Sequence, residues 1–131
     1  DVINVAGHRL TTGSLEAAVA THPDVAECAV IGVQDEIKGQ VPRAFVVLSS
    51  GATTSPEVIE AEVIDLVRHM VGPVAALRDV RVVPGLPKTR SGKILRRSMR
   101  AIAEGRDEPV PSTIEDPRVL EDLAPLLRTD P

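Results

Sequence analysis

The first part of the chain alternates between short extended segments and one helical segment. Residues 2–5 and 8–10 are extended pieces joined by a glycine turn, which predicts a hairpin that opens the domain. Leu15, Ala18, Val19 and His22 then follow one another at helical spacing and form one face. The next residue, Pro23, ends the pattern. A short amphipathic helix is therefore expected after the hairpin.

The middle of the chain predicts two longer strands and a second helix. Residues 28–33 are almost continuously apolar, as in a strand buried on both faces, and a second strand over residues 41–48 comes after a polar loop. Ser55 before Pro56 is typical of a helix start, with the serine side chain as cap and proline in the first turn. The apolar stripe of this helix is expected to consist of Ile59, Val63, Leu66, Val67 and Met70.

The last part of the chain predicts a short strand over residues 80–83 and a loop over residues 84–92. A third helix is expected to start at Lys93, and residues 107–131 form an acidic, proline-containing tail with a short helix near residues 117–127. The third helix would place Ile94, Leu95, Ser98, Met99 and Ile102 on one face and Lys93, Arg96, Arg97 and Arg100 toward solvent or ligand.

This order of elements lacks the regular strand–helix alternation of a parallel α/β fold. It favours a small α+β domain in which three helices pack on a mixed or antiparallel sheet. A length of 131 residues with 43% apolar residues suits one compact core. We expect the domain to span residues 1–106 and the tail to span residues 107–131.

Composition excludes several classes of protein. No apolar run approaches the roughly eighteen residues of a membrane span, and no basic stretch before an apolar one indicates a signal peptide. The single cysteine, Cys28, cannot form an internal disulfide, so a reducing cytoplasm is the expected location. Phe45 is the only aromatic residue, so binding of nucleic acid through base stacking is not expected.

Charge is distributed unevenly along the chain. The net charge is −4, yet residues 88–106 alone carry +6, which leaves −10 for the remainder. A concentrated positive patch on an acidic chain suggests a local anionic ligand, such as a phosphate-bearing small molecule. A solvated basic helix face would give the same pattern.

The candidate chemistry lies in the loop that ends at Lys93. This lysine comes after Gly92 on a loop stiffened by Pro87. Because glycine lets the backbone approach a ligand closely, the loop can place the positive charge of the lysine at a single position on that ligand. The loop is not a nucleotide P-loop, because Pro87 replaces its first glycine and Ile94 replaces its final Ser or Thr. An ordinary exposed turn is also compatible with the Ser-Gly-Lys spacing.

Two motifs together resemble a known family. Residues 87–97, Pro-Lys-Thr-Arg-Ser-Gly-Lys-Ile-Leu-Arg-Arg, and residues 4–10, Asn-Val-Ala-Gly-His-Arg-Leu, are similar to motifs in the C-terminal domain of the adenylate-forming superfamily. Within it, the sequence most resembles AMP-forming acetyl- and propionyl-CoA synthetases, and the resemblance covers essentially the whole chain. The tail segment 109–117 looks more like the propionyl-CoA synthetase branch.

The resemblance implies a ligase that works in two steps. A carboxylate, acetate or propionate, attacks ATP to give an acyl-adenylate and pyrophosphate, and the thiol of CoA then displaces AMP. ATP, Mg and CoA are the implied cofactors. A larger N-terminal domain is the implied partner, and its hinge acid is expected immediately before Asp1. The isolated chain would be inactive.

The same resemblance assigns roles to individual residues. Lys93 matches a lysine that acts in adenylation, and Arg9 matches an arginine that contacts the nucleotide phosphate. Gly7 would line the tunnel for the pantetheine chain, and Arg68 would contact the CoA nucleotide. An exposed Lys93 is also open to acetylation, which would make an acetyltransferase and a deacetylase further partners.

Other positions carry an alternative explanation or depart from the family. His22, with the carbonyl groups of Ala20 and Val25, matches a structural magnesium site, but a hydrogen-bonded histidine at a helix end fits equally. Arg68 also suits a surface charge that compensates the helix dipole. Ala6 stands where acetyl-CoA synthetases usually carry serine.

Two other classes of protein compete with this interpretation. A stand-alone module could dock RNA or an acidic protein on the basic helix over residues 93–106, although the lack of aromatic residues and the negative net charge oppose it. A purely structural interaction domain would leave Lys93 without a role.

Overall fold

A computed structural model describes residues 1–128 as five strands, four α-helices and one short 3₁₀ turn. In chain order these are β1 (Val2–Val5), β2 (His8–Thr11), α1 (Thr12–Val19), β3 (Val25–Asp35), β4 (Gly39–Leu48), α2 (Pro56–Met70), the 3₁₀ turn (Pro73–Ala75), β5 (Asp79–Val82), α3 (Arg96–Ala103) and α4 (Pro117–Arg128). Helix α4 confirms the predicted tail helix, and residues 129–131 of the predicted tail lie outside the described residues.

The strands form one mixed sheet, as predicted. The order β2-β1-β4-β3 is antiparallel throughout, and β5 pairs with β4 in parallel. Strand β4 pairs with β3 along one edge, from Val25 opposite Leu48 to Asp35 opposite Gly39. Its other edge is shared by β1, at a single position, and by β5. Strands β1, β3 and β5 therefore all pair with β4, and β2 joins the sheet through β1.

Helices cover both faces of this sheet. Val30 of β3 and Val46 of β4 belong to the core beneath α1 and α2. Their neighbours Ile31 and Phe45 point to the other face, where they pack with side chains of α3 and α4. This two-sided burial explains why β3 is almost continuously apolar, and it confirms the α+β prediction.

A buried ion pair joins three elements. Arg43 of β4 and Asp79 of β5 are register partners, and the Arg43 Nε donates to Asp79 Oδ2 over 2.5 Å. The two terminal nitrogens of the same guanidinium donate to the carbonyl groups of Leu127 and Leu126 at the end of α4, over 2.8 and 3.1 Å. Arg43 is 3% exposed and Asp79 is 6% exposed. One side chain thus connects the centre of the sheet to the tail helix.

Two predicted details of helix α2 differ from the structure. The side chain of Ser55 makes no cap hydrogen bond; its carbonyl group accepts from the backbone of Val58 and Ile59 instead. Of the predicted stripe, only Ile59, Val63 and Val67 are buried, and Met70 is 55% exposed. The prediction was wrong for Met70 because it lies in the last turn, at the surface, where its sulfur accepts from the Thr21 hydroxyl over 3.6 Å.

The predicted start of α3 at Lys93 is wrong by three residues. Ile94 forms an antiparallel bridge with Lys88, and the backbone N–H of Leu95 donates to the carbonyl of Pro87 over 2.9 Å. These contacts hold the backbone extended, so the helix begins only at Arg96. Lys93 therefore belongs to a loop rather than to the basic helix.

We expect Arg43→Met to lower the free energy of unfolding by about 3 to 5 kcal/mol, because it leaves Asp79 buried without its main partner. Urea denaturation of the chain measures this change. Arg81→Met is the matched control, since Arg81 also pairs with Asp79 but is partly exposed, and it should cost about 1 kcal/mol or less. Equal costs for the two variants would contradict the role given to Arg43.

Candidate functional site

The loop that carries Lys93 is a closed turn. Thr89 closes it in three places: its N–H donates to the Lys93 carbonyl over 2.8 Å, its carbonyl accepts from Gly92, and its hydroxyl accepts from the Lys93 N–H over 3.1 Å. Gly92 has a φ of +93°, a conformation that favours glycine. The Lys93 side chain is exposed and forms no hydrogen bond or ion pair with residues 1–128. The turn is thus fixed while its ammonium group is free.

A segment of the tail pairs with the backbone of this loop. Ile114 bridges Thr89, the Arg90 N–H donates to the Thr113 carbonyl over 3.0 Å, and the Glu115 N–H donates to the Lys88 carbonyl over 2.8 Å. The sequence predicts only a short helix in this tail. No local pattern indicated this pairing, because residues 113–115 are too few to show a periodicity.

Acidic residues neutralise much of the basic segment over residues 88–106. Lys88 pairs with Glu27, and Arg96 forms two hydrogen bonds with Glu16. The remaining pairs are Arg97 with Glu108, and Arg106 with Glu104 and Glu108. Among the described residues, Arg90, Lys93 and Arg100 are the basic residues of this segment without an ion pair. The expectation that Arg96 faces solvent or ligand is therefore wrong, because Glu16 holds it.

Gly7 and Lys93 lie toward opposite ends of the first hairpin. Ala6 and Gly7 have φ angles of +48° and +85°, the pattern of a two-residue type I′ turn between β1 and β2. At the other end of β1, Asp1 and Lys93 line the same cleft, which has a volume of about 680 Å³. The four extended residues of β1, Val2–Val5, separate these two ends, a span of roughly 13 Å. Arg9, on β2, is exposed and forms no ion pair within residues 1–128.

A small basic cleft lies near the Gly7 turn. The Ala6 N–H donates to the carbonyl of Lys38 over 2.7 Å, and Lys38 lines a cleft of about 170 Å³ together with Arg68 and Arg78. Within residues 1–128, no acidic residue lines the cleft and none of its three cations forms an ion pair. The family resemblance assigned a role to Arg68 but none to Lys38 or Arg78, which the fold brings beside it.

His22 is arranged as a hydrogen-bonded histidine. The backbone N–H of Asp24 donates to its Nδ1 over 3.1 Å, so the proton is on Nε2, which lies 2.9 Å from Glu62 Oε1. Neither ring nitrogen keeps a free lone pair for a metal ion. This arrangement supports the alternative of a hydrogen-bonded histidine, and the magnesium site at Ala20, His22 and Val25 stays a prediction.

A larger open concavity of about 870 Å³ lies at the far end of α3, against the β3–β4 turn. Asp35, Arg100 and Glu104 line it, so charges of both signs are present. It contains none of the predicted site residues, and it indicates no particular ligand.

Cys28 is not an activated nucleophile. Its thiol donates to the carbonyl of Glu16 over 3.5 Å, and burial raises its pKa from 9.0 to about 11. The Glu16 carboxylate adds to this rise, and Arg96 opposes it. At neutral pH the group is a protonated, half-buried thiol.

Comparison with known proteins identifies the family of this chain. Residues 14–93 match the model of the AMP-binding enzyme C-terminal domain. The chain is 50% identical to the mitochondrial acyl-CoA synthetase short-chain family member B of Dictyostelium discoideum, over 94% of this chain and 18% of that protein. It is 48% identical to the acetyl-coenzyme A synthetase of Magnetococcus marinus, over 94% of this chain and 19% of that protein.

A solved structure shows the same fold. The acyl-CoA synthetase of Brucella canis superposes with a TM-score of 0.70 and 38% identity, over 76% of this chain and 18% of that one. The chain therefore belongs to the family of AMP-binding enzyme C-terminal domains. It spans about a fifth of the length of the relatives it matches. Within residues 1–128, no helix is both long and apolar enough to cross a membrane.

We expect iodoacetamide to modify Cys28 in the folded chain about a hundredfold more slowly than in the urea-unfolded chain at pH 8, because its raised pKa leaves little thiolate. Raising the pH from 9 toward 11 should also lower the free energy of unfolding, since the unfolded thiol ionises first. Mass spectrometry over time measures the modification. Equal rates in both states would show that the thiol is not shielded.

Proposed function

We propose that this chain is the mobile C-terminal domain of an AMP-forming short-chain acyl-CoA synthetase. In the first step, a carboxylate oxygen bonds to the α-phosphorus of ATP and pyrophosphate leaves. In the second step, the thiol sulfur of CoA bonds to the acyl carbon, its proton is released, and AMP leaves. The observation that carries the proposal is that Lys93 shares a cleft with Asp1, at one end of β1, while Gly7 lies in the turn at the other end, so rotation can present one end at a time to a shared site.

Lys93 acts in the first step. Its ammonium group is free, while the bonds from Thr89 fix the turn beneath it, so the charge is pre-positioned for the carboxylate and phosphate oxygens. Arg9, also free and exposed, contacts the nucleotide phosphate. Magnesium accompanies ATP as the counterion of its phosphates.

The end that carries Gly7 acts in the second step. A glycine at this turn leaves room for the thin pantetheine chain. The cleft formed by Lys38, Arg68 and Arg78 supports binding of the CoA nucleotide near the same end, because three cations converge there without a competing carboxylate from the described residues. The larger N-terminal domain supplies the acid pocket and most of the adenylate pocket.

The acid is a short one, and the tail segment 109–117 favours propionate over acetate. A free thiol at Cys28 suits a reducing compartment such as the cytoplasm. Acetylation of the exposed Lys93 by an acetyltransferase would remove its charge and stop the first step, and a deacetylase would restore it. The RNA-binding alternative is weakened by the acids that neutralise the basic helix.

We expect Lys93→Ala in the full-length enzyme to slow adenylation by about a hundredfold or more, while thioester formation from supplied acyl-adenylate continues. ATP–pyrophosphate exchange and CoA thioester assays measure the two steps separately. Arg90→Ala is the matched control, because it removes another unpaired charge from the same loop. The isolated chain should show no exchange. Equal losses in both steps after Lys93→Ala would contradict the assignment.

We expect Gly7→Leu to block thioester formation and to spare pyrophosphate release. A Cβ at Gly7 would meet no atom of this chain's described residues within 4 Å, so an effect of side-chain bulk must come from outside them. The positive φ strains any other residue at this position, and Gly7→Ala carries the same strain with little bulk. Thioester formation at the same rate in both variants would show that Gly7 does not line the tunnel.

A further inference from the structure

The position of Lys93 depends on the residues just after it in the chain. Its side chain forms no hydrogen bond or ion pair with residues 1–128, so the backbone alone sets the point and direction in which the side chain leaves the loop. Three residues later the backbone enters α3 at Arg96. A constraint on Arg96 therefore acts almost directly on the end of the loop.

Arg96 is held by a two-point ion pair. Its Nε donates to Glu16 Oε2 over 2.9 Å and its Nη2 donates to Glu16 Oε1 over 2.7 Å. The Val30 N–H also donates to Glu16 Oε2 over 2.8 Å, which ties the carboxylate to β3, the edge strand beside β4. The side chains of Arg96 and Glu16 are 26% and 16% exposed. Such a partly buried fork fixes orientation as well as distance.

Helix stability does not explain an arginine at this position. Arg96 is the first residue of α3, where the positive end of the helix dipole disfavours a cation, and Leu95 before it provides no side-chain cap. The next residue, Arg97, is 81% exposed and reaches Glu108 at 3.3 Å. Of the two neighbouring arginines, only Arg96 is connected to the sheet, through Glu16.

We propose that Arg96, through Glu16, is a positioning residue that aims Lys93 during adenylation. The proposal rests on the proposed function. The fork sets the direction in which the chain leaves the Lys93 loop and enters α3. Although Arg96 lines the same cleft as Lys93, its guanidinium is held by Glu16. Small displacements of a positioned group cost large factors in rate, so loss of the fork lowers the rate of the step that uses Lys93.

The test uses the full-length enzyme with Arg96→Gln, Arg96→Lys and the matched control Arg97→Gln. We expect Arg96→Gln to lower kcat for adenylation by about tenfold with little change in the KM for ATP, and to leave thioester formation from acyl-adenylate unchanged. Arg96→Lys, which keeps the charge but loses the fork, should lie between this variant and the wild type. Arg97→Gln should match the wild type.

A double variant separates positioning from other roles. Adding Arg96→Gln to Lys93→Ala should not lower the adenylation rate further, because a residue that acts only by positioning Lys93 has no effect once that lysine is absent. A further loss, equal effects of Arg96→Gln and Arg97→Gln, or equal losses in both half-reactions would overturn the proposal. If Arg96→Gln fails to fold, Arg96→Lys and Glu16→Gln decide the same question by the ratio of the two half-reactions.

The outcomes also separate this proposal from the proposed function. Full adenylation by Lys93→Ala overturns both. Loss of adenylation in Lys93→Ala with a normal rate in Arg96→Gln overturns the positioning role alone.

Discussion

The packing of the tail helix α4 against the sheet depends on the buried guanidinium of Arg43. It lies on the strand that joins the sheet together, and it satisfies Asp79 and two carbonyl groups at the end of α4 at once. A charge removed from water in this way is stable only while its partners stay in place. The tail helix is therefore fixed to the sheet by hydrogen bonds as well as by the apolar contacts of Leu123 and Leu127.

Neighbouring acidic residues determine which basic residues remain available to bind a ligand. Glu16 and Glu27 belong to α1 and β3, and they hold the two cations that flank the lysine loop. Lys93 and the three cations of the Arg68 cleft have no such partner within residues 1–128. Total charge along the sequence is thus a poor guide to a binding surface, because the fold decides which charges are already compensated.

Short-range sequence patterns correctly predicted the elements that form from residues close together in the chain. The glycine turn of the first hairpin, the apolar stripe of α1 and the continuous apolar run of β3 each arise from adjacent residues. Long-range pairing determined the rest. The bridge from Lys88 to Ile94 delays the start of α3, and Lys38 and Arg78 reach Arg68 only through tertiary packing. The motif identified Lys93, but the residues that hold its loop lie in α1, β3 and the tail, where no motif marks them.

The backbone pairing between the tail and the lysine loop also imposes an order on folding. Lys88 and Arg90 find their backbone partners at Glu115 and Thr113, which the ribosome adds later. Until those residues emerge, one edge of the loop has only water for its hydrogen bonds, although the hairpin, α1 and β3 have already been synthesised. The outer edge of the lysine loop is therefore among the last parts of the domain to be completed, although Thr89 can close the turn at Lys93 before the tail exists.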